Sequence, residues 1–211
     1  MKTLIAIPCM DMVPVKFTEA IVSLDKPQGT FVSFRPNSLI YDSRNLLYLT
    51  AKENNMDRIL WLDSDMVFEP DILRRMHEDM DTLNCEMLTG VYIKRAEPYT
   101  PVLFDTLEEP GVGPDGNPVQ RVTCYVNYPE DQTFPVKGCG FGCVMMTVDL
   151  IHRVWQKFGP AFNPYPWASE DISFCHRVNQ LGVQIWCDSR IQCGHVGQFT
   201  YTDKICRGGR K

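Results

Sequence analysis

Residues 58–65 of the 211-residue chain have the sequence Arg-Ile-Leu-Trp-Leu-Asp-Ser-Asp. Four apolar residues in a row, without the alternation of a half-exposed strand, predict a strand that is buried on both faces. Two carboxylates follow it directly, Asp63 and Asp65, with Ser64 between them. In open α/β sheets, ligands bind outside the carboxyl ends of the strands. The two carboxylates are therefore candidates for a ligand site, and the alternative is a turn cap at Asp63 beside a solvated Asp65.

Strands and helices alternate from the N-terminus to about residue 92. Proline at position 70 is expected to be the first residue of the third helix, and Asp42 or Ser43 is expected to cap the second. This alternation is typical of a right-handed α/β sheet. The predicted strands cover residues 3–8, 30–34 and 58–62, and the predicted helices cover residues 15–24, 42–54 and 70–83.

The second half of the chain resumes the pattern after an irregular segment at 93–135. A glycine- and proline-rich stretch at 111–118 predicts a loop or hairpin tip. No linker or internal repeat divides the chain, so we expect one α/β domain with a mixed, mainly parallel sheet flanked by helices. Further predicted strands lie at 119–126, 144–148, 183–187 and 190–196, further helices at 149–158 and 169–181, and a basic tail at 204–211.

The composition is that of a globular protein, with 44% hydrophobic and 22% charged residues and a formal net charge of −5. A protein that coats nucleic acid needs a basic face, so this charge argues against nucleic acid as a general partner. The sequence has no apolar run of about eighteen residues and no basic stretch before a long apolar one. We therefore expect a cytoplasmic protein without a transmembrane segment, and association as a homo-oligomer stays open.

The nine cysteines do not have the spacing of a disulfide framework. Several lie inside apolar runs, as at residues 142–146, which indicates buried reduced thiols in a cytosolic protein. The alternative is a zinc site, although no second Cys-x2-Cys pair supports it. Its ligands would be Cys139, Cys143, Cys193 and His195.

A second Asp-x-Asp sequence, Asp79-Met80-Asp81, lies inside a predicted helix and serves as a comparison. Residues two apart on a helix point about 200° away from each other, so these aspartates cannot form a joint site and are expected on a solvated face. Asp63 and Asp65 instead lie beside an apolar strand, where each raises the pKa of the other unless a cation neutralises them. A hard divalent ion that also binds substrate phosphates meets that need.

Three features of the second half supply further candidates. Glu170 and Asp171 open a predicted helix after Trp167, although the helix dipole also favours acids there for structural reasons alone. Residues 138–142 contain three glycines, which lets backbone approach a ligand closely. His195 lies between two glycines near the end of the last predicted strand, where a structural histidine is the alternative.

Taken in order, these residues resemble the GT-A superfamily of nucleotide-sugar-dependent glycosyltransferases, especially its family-2-like bacterial and phage members. The resemblance spans nearly the whole chain, and its specificity lies in the order of the motifs, since no single motif is specific. The matching features are a first strand ending at Ile7-Pro8, Arg44-Asn45 opening a helix, Asp63-Ser64-Asp65, the glycines at 138–142, Glu170-Asp171 and a late His195.

The resemblance implies a single Rossmann-like GT-A domain over residues 1–211. Residues 1–92 would bind nucleotide and metal, and residues 93–211 would face the acceptor. It implies a Mn²⁺ or Mg²⁺ ion on the donor diphosphate, and it implies that Arg44 lies close to the nucleotide. The implied metal ligands are Asp63, Asp65 and His195, and the implied nucleotide-binding residues are Pro8, Asp11, Arg44, Asn45, Asp63, Ser64 and Asp65.

The activity implied is that of a glycosyltransferase of class EC 2.4, which moves a sugar from a UDP- or GDP-linked donor to a carbohydrate or other hydroxyl acceptor. Glu170 and Asp171 would face that acceptor, with Asp171 as general base if the reaction is inverting. A metal would neutralise the leaving diphosphate, and a carboxylate suffices to take the acceptor proton. Candidate sugar-stacking faces are Trp167, Tyr165 and Trp155, with core packing as the alternative for Trp155.

The chain departs from the family in two ways. The acidic motif at 63–65 comes early, and the chain ends soon after His195, so acceptor recognition is expected from 93–135, from the tail or from a partner. Whether the reaction inverts or retains the anomeric centre stays open. The alternatives are a sugar nucleotidyltransferase, a non-catalytic carbohydrate- or nucleotide-binding protein, and transfer to modified phage DNA through the basic tail at Arg207–Lys211.

Overall fold

The structure, a computed structural model, describes residues 1–112, 115–197 and 200–203. The helices are α1 (Val15–Ser23), α2 (Ile40–Glu53), α3 (Ile72–Leu83), α4 (Val148–Phe158) and α5 (Glu170–Gln180). The strands are β1 (Thr3–Cys9), β2 (Thr30–Pro36), β3 (Arg58–Leu62), β4 (Met66–Val67), β5 (Met87–Val91), β6 (Leu103–Val112), β7 (Pro118–Cys124), β8 (Thr133–Val136), β9 (Gly138–Cys139), β10 (Cys143–Thr147), β11 (Ile185–Gln192), β12 (Gly194–Val196) and β13 (Thr200–Tyr201).

Seven strands form the central sheet, in the spatial order β2-β1-β3-β10-β5-β11-β8. β1 is parallel to both β2 and β3, and β5 is parallel to β11. β10 lies antiparallel between β3 and β5, and β8 is antiparallel to β11 at the edge. Five strands therefore share one direction, which confirms the prediction of a mixed, mainly parallel α/β sheet. Their carboxyl ends define one border of the sheet, which we call the carboxyl edge.

Helices cover both faces of this sheet. α2, α4 and α5 pack on one face, and α1 and α3 pack on the other. The first core lies between the sheet and α2, α4 and α5, and the second core lies between the sheet and α1 and α3. In β3, Trp61 points into the first core and Leu60 into the second, because successive side chains of a strand point to opposite faces. All five residues of β3 are buried, as its apolar run predicts.

Several predicted element boundaries are wrong by a few residues. α2 begins at Ile40, so Asp42 and Ser43, the predicted caps, lie inside the helix. α3 begins at Ile72 with Asp71 as its N-cap, so Pro70 precedes the helix instead of starting it. The two strands predicted at 183–187 and 190–196 are one long strand, β11, followed by the short β12.

The aspartates of α3 point to different partners, as their helical spacing predicts. Asp81 lies on the expected solvated face, with its side chain 63% exposed, whereas the side chain of Asp79 is only 19% exposed. Asp79 accepts a hydrogen bond from Arg190 Nη2 at 2.9 Å, and Asp81 pairs with Arg58. Met80 between them is buried in the second core. Arginines of β11 and β3 reach the helix from the sheet, which a helical pattern alone does not reveal.

The stretch predicted as a hairpin tip connects β6 and β7, which pair in an antiparallel hairpin. β6 also pairs with β9, so the hairpin is anchored beside α5. The basic tail, Lys204–Lys211, lies outside the described residues. Among the residues that the structure describes, no helix has the length and apolar character needed to cross a membrane.

Candidate functional site

A cleft of about 500 Å³ opens at the carboxyl edge, beyond the ends of β1, β3 and β5. The N-terminal turns of α2 and α5 form its other walls. Residues far apart in sequence therefore meet at the border where ligands bind in open α/β sheets. Eight residues singled out from the sequence line the cleft together: Pro8, Arg44, Asp63, Ser64, Asp65, Glu170, Asp171 and His195.

Arg44 is a buried ion-pair centre at the base of the cleft. Its Nη2 donates to Asp63 Oδ1 at 2.9 Å, and its Nε donates to Glu170 Oε1 at 3.2 Å. Its guanidinium also lies 5.5 Å from the centre of the Trp61 ring and 5.1 Å from that of Phe141. Burial by itself lowers the pKa of Arg44, but the two carboxylates more than offset this, so the guanidinium stays charged. Arg44 therefore fixes α2, the end of β3 and the start of α5 relative to one another.

Asp63 is engaged by this arginine instead of being free for a ligand. Burial raises the pKa of Asp63, because desolvation outweighs the opposing effect of Arg44. Direct metal coordination by Asp63 therefore stays a prediction. Glu170 likewise holds Arg44, and its side chain is only 12% exposed.

Asp65 and His195 are brought together by an antiparallel pairing. β12 pairs with β4 so that His195 lies opposite Met66, and the backbone N–H of Val196 donates to the Asp65 carbonyl at 2.8 Å. His195 Nε2 then lies 3.4 Å from Asp65 Oδ2. The predicted proximity of these two side chains is present in the structure.

The hydrogen bonding of His195 presents Nε2 to the cleft. Its Nδ1 lies 2.9 Å from the carbonyl oxygen of Ile93, which can only accept, so Nδ1 carries a proton. In the neutral ring, Nε2 then points a lone pair at the carboxylate of Asp65. Two acceptors that face each other are stable only with a cation or a proton between them. A backbone carbonyl that accepts from the other ring nitrogen is typical of a metal-binding histidine.

The pair fits a divalent ion that takes its other ligands from a substrate. Within residues 1–112, 115–197 and 200–203, no three His, Cys, Asp or Glu side chains are grouped to hold a metal among themselves. Two protein ligands suffice where phosphate oxygens and water complete the shell. A ring nitrogen beside a carboxylate favours a transition ion such as Mn²⁺ over Mg²⁺.

The zinc alternative does not match the structure. Cys139, Cys143 and Cys193 are buried free thiols, and they form no metal-holding group with His195. Burial raises the pKa of Cys187 well above the ordinary thiol value, as expected for an inert thiol of the core.

Asp171 is half-buried, and one of its carboxylate oxygens is engaged. Ser169 Oγ and the backbone N–H of Ile172 both donate to Oδ1, the latter at 2.8 Å. Desolvation, followed by the nearby charge of Glu170, raises the pKa of Asp171 to about 6. Oδ2 has no hydrogen-bond partner among the described residues, so it is available to a ligand hydroxyl.

A smaller cleft of about 210 Å³ lies next to Asp171, between the β6–β7 hairpin and the segment before α5. Trp167 forms one wall, and its ring stacks on Tyr165 with centroids 5.4 Å apart. Arg121 and Glu108, 3.6 Å apart, supply charged groups from the hairpin. Trp155 has another place, since it packs on Tyr48 and the core, as its alternative interpretation held.

The glycines at 138–142 were expected to let the backbone approach a ligand closely, but the structure gives them a different role. They do not line the large cleft; Gly140 and Gly142 make room for Tyr92. A Cβ on Gly140 would lie 1.9 Å from the Tyr92 hydroxyl, and one on Gly142 would lie 2.9 Å from its ring. Tyr92 in turn meets His195 edge to face, with centroids 5.5 Å apart. The glycines therefore support the histidine through an aromatic ring.

Two predicted residues do not line the cleft, and one charged residue was missed. Asn45 is buried, where it donates to Asn163 Oδ1 at 3.0 Å and accepts from the Phe162 N–H. Asp11 lies beyond the lining of the cleft. Arg95 lines it and contacts Asp65 Oδ2 at 2.9 Å. Its position just after a buried strand at the carboxyl edge was the available signal.

Comparison with known proteins adds information at the level of fold. No protein-family model matches the sequence, and no curated protein matches it. The crystal structure of A197 from STIV superposes with a TM-score of 0.66 at 16% identity, over 93% of this chain and 86% of that one. The chain has a GT-A-like fold.

A second solved structure is similar over part of its length. The crystal structure of GalNAc-T7 with UDP, GalNAc and Mn²⁺ has a TM-score of 0.59 at 7% identity. The match covers 94% of this chain but only 44% of GalNAc-T7. At these identities the likeness concerns the fold alone.

Proposed function

We propose that the protein is a metal-dependent glycosyltransferase, which moves a sugar from a UDP- or GDP-linked donor to a hydroxyl acceptor. In this proposal the chain is one domain, with residues 1–92 serving the donor and residues 93–211 the acceptor. The observation that carries it is that Asp65, His195 and Asp171 lie in one cleft at the carboxyl edge, with Asp171 Oδ2 unpaired within the part of the chain that the structure describes. The neighbouring GalNAc-T7 fold, solved with UDP and Mn²⁺, supports the same assignment.

On the donor side, Asp65 Oδ2 and His195 Nε2 would hold the ion, and Asp63 stays a candidate ligand. When bound, the ion would neutralise the charge that develops on the departing diphosphate. Arg44 keeps the side chains of Asp63 and Glu170 in place at this end of the cleft. Pro8 and the chain that follows it form the wall proposed to receive the nucleoside.

On the acceptor side, Asp171 would act as the general base. The acceptor oxygen bonds to the anomeric carbon as the bond from that carbon to the diphosphate breaks, the acceptor proton passes to Asp171, and nucleoside diphosphate leaves. A carboxyl group with a pKa of about 6 is ionised at neutral pH yet takes a proton more readily than an ordinary carboxylate. This sequence of bonds describes an inverting transfer.

The smaller cleft supports a carbohydrate as the acceptor. An aromatic face at Trp167 and hydrogen-bonding groups at Glu108 and Arg121 are the two elements that a sugar ring needs. Ser169 lines this cleft and donates to Asp171, so an acceptor seated there is adjacent to the base.

The test is a thermal-shift screen of UDP-, GDP- and CDP-sugars with Mn²⁺, followed by measurement of nucleoside diphosphate release. A donor present at about a hundred times its Kd stabilises the fold by about 2.7 kcal/mol, a rise in Tm of roughly 5–11 °C. EDTA and Asp65→Asn are expected to abolish both the shift and turnover. Full activity of either preparation contradicts the metal role.

A matched control is Asp149→Asn. Asp149 is exposed and lies in the first turn of α4. This helix follows β10, whose last residue Thr147 pairs with Arg58 at the opposite border of the sheet. It should therefore change neither binding nor turnover. Release of pyrophosphate from a nucleoside triphosphate would instead identify a nucleotidyltransferase, and donor binding without turnover across a broad acceptor panel would identify a non-catalytic protein.

A further inference from the structure

Arg95 contacts the same carboxylate oxygen that faces His195. Its Nη1 lies 2.9 Å from Asp65 Oδ2 and donates to the carbonyl of Val196 at 2.9 Å. His195 Nε2 approaches that oxygen to 3.4 Å. The guanidinium thus neutralises the very atom that a divalent ion would need, and two cations on one oxygen repel each other.

The two arginines of the cleft differ in how they are held. The side chain of Arg44 is 2% exposed and is bound by two carboxylates between aromatic rings. The side chain of Arg95 is 47% exposed and has one ionic partner among the residues that the structure describes. Arg95 can therefore change partners without disturbing the core, and Arg44 cannot.

The backbone around Arg95 is fixed at its base and open at its tip. Ile93 and Pro101 form a β-bridge, and the Lys94 N–H donates to the Thr100 carbonyl at 3.0 Å. Residues 95–98 beyond this base are exposed. The β-bridge and this hydrogen bond hold the backbone of Arg95 beside the cleft, while the long side chain of Arg95 can turn toward a ligand there.

We propose that Arg95 switches partners as the donor binds, from Asp65 to the donor diphosphate. This inference rests on the proposed function and adds a positioning residue to it. Before binding, Arg95 balances the charge of Asp65. When a diphosphate enters with a divalent ion, Asp65 would hold the ion, and the displaced guanidinium of Arg95 would meet phosphate oxygens, which match its planar, forked donors.

The switch makes a specific thermodynamic prediction. An ion that binds alone must displace Arg95 without giving it a new partner, whereas an ion that binds with a diphosphate supplies one. Removing the guanidinium should therefore strengthen binding of the ion alone and weaken binding of the diphosphate. A residue that merely stabilises the fold would not move these two affinities in opposite directions.

The experiment compares wild type with Arg95→Gln and Arg95→Lys, without assaying turnover. Mn²⁺ binding is followed by the electron paramagnetic resonance signal of the free ion, and binding of UDP and GDP at saturating Mn²⁺ is followed by calorimetry. For Arg95→Gln we expect Mn²⁺ alone to bind about threefold to tenfold more tightly, and the diphosphate about tenfold more weakly. Arg95→Lys keeps the charge without the fork, so intermediate values are expected.

Arg74→Gln is the matched control, because Arg74 is an exposed arginine of α3 with surface ion pairs only, and it should leave both affinities unchanged. The switch would be overturned if Arg95→Gln bound Mn²⁺ alone and the diphosphate with the same affinities as wild type. It would also be overturned if both affinities fell in Arg95→Gln and Arg95→Lys while Tm stayed unchanged. A wild-type protein that binds neither nucleotide with Mn²⁺, or binds as well after Asp65→Asn, refutes the proposed function itself.

Discussion

Replacing Asp171 with asparagine should remove transfer and at the same time make the fold more stable at neutral pH. The folded-state pKa of Asp171 is about 6, compared with an ordinary value of 3.8. A carboxyl group whose pKa is raised on folding favours the folded state fully only below its unfolded pKa, and this contribution is lost as the pH rises through the folded value. At 1.36 kcal/mol for each pH unit, the loss between those values is about 3 kcal/mol.

Asparagine does not titrate, so Asp171→Asn escapes this loss. The stability of the variant relative to wild type should therefore increase by up to about 3 kcal/mol between about pH 4 and about pH 7.5. Its side-chain carbonyl can still accept the hydrogen bonds that Ser169 and Ile172 donate to Oδ1. Donor binding should persist, while transfer falls by about 10²–10⁴-fold, the usual contribution of a general base.

The assay pairs urea unfolding at several pH values with calorimetric donor binding and a transfer assay. Glu53→Gln is the control, because Glu53 is exposed at the end of α2, and its stability difference from wild type should not vary with pH. A stability difference for Asp171→Asn that is also constant with pH would show that Asp171 is not desolvated. Unchanged transfer would remove it as the base.

Three further predictions concern the surrounding residues. Arg44→Met leaves Asp63 and Glu170 without their cation, so the free energy of unfolding should fall by about 3–5 kcal/mol and Tm by roughly 6–20 °C, measured by thermal denaturation. Trp167→Ala should raise the KM for a carbohydrate acceptor about tenfold and leave donor affinity unchanged, because the Trp167 ring lines only the smaller cleft. An unchanged acceptor KM would place the acceptor elsewhere. Thr147→Ala removes the oxygen that caps α4 by accepting from the Leu150 N–H at 3.1 Å, so it should cost about 1 kcal/mol of stability with full activity, and lost activity would contradict the separation of α4 from the cleft.

The parts of the fold that could be predicted are those specified by local pattern. The uninterrupted apolar run of β3 predicts burial on both faces, and the carboxylates after it lie at the carboxyl edge as expected. The ends of α2 and α3 were misplaced because a capping residue type does not specify where helical hydrogen bonds begin. Whether β10 ran parallel or antiparallel also could not be predicted, since strand direction is set by the path of the chain between elements.

The missed parts of the site depend on contacts between distant segments. Arg95 reaches Asp65 only because the loop after β5 folds back beside β12. Tyr92 supports His195 only because Gly140 and Gly142 leave space for its ring. The glycines were recognised in the sequence, but their partner is a side chain and not a ligand, and nothing in the local pattern separates these two uses.

The charges of the large cleft explain why metal and donor should bind together. Among the described residues that line it, the four carboxylates of Asp63, Asp65, Glu170 and Asp171 face the guanidinium groups of two arginines, so the lining has a net charge of −2 when all four carboxylates are ionised. A free diphosphate, itself negative, is therefore repelled from the site that should receive it. A divalent ion would change that balance, because Asp65 would hold it and its charge would attract the phosphates. The net negative charge of the cleft thus favours the metal complex of a donor over the donor alone, so nucleotide binding measured without a divalent ion should be weak even where every side chain is in place.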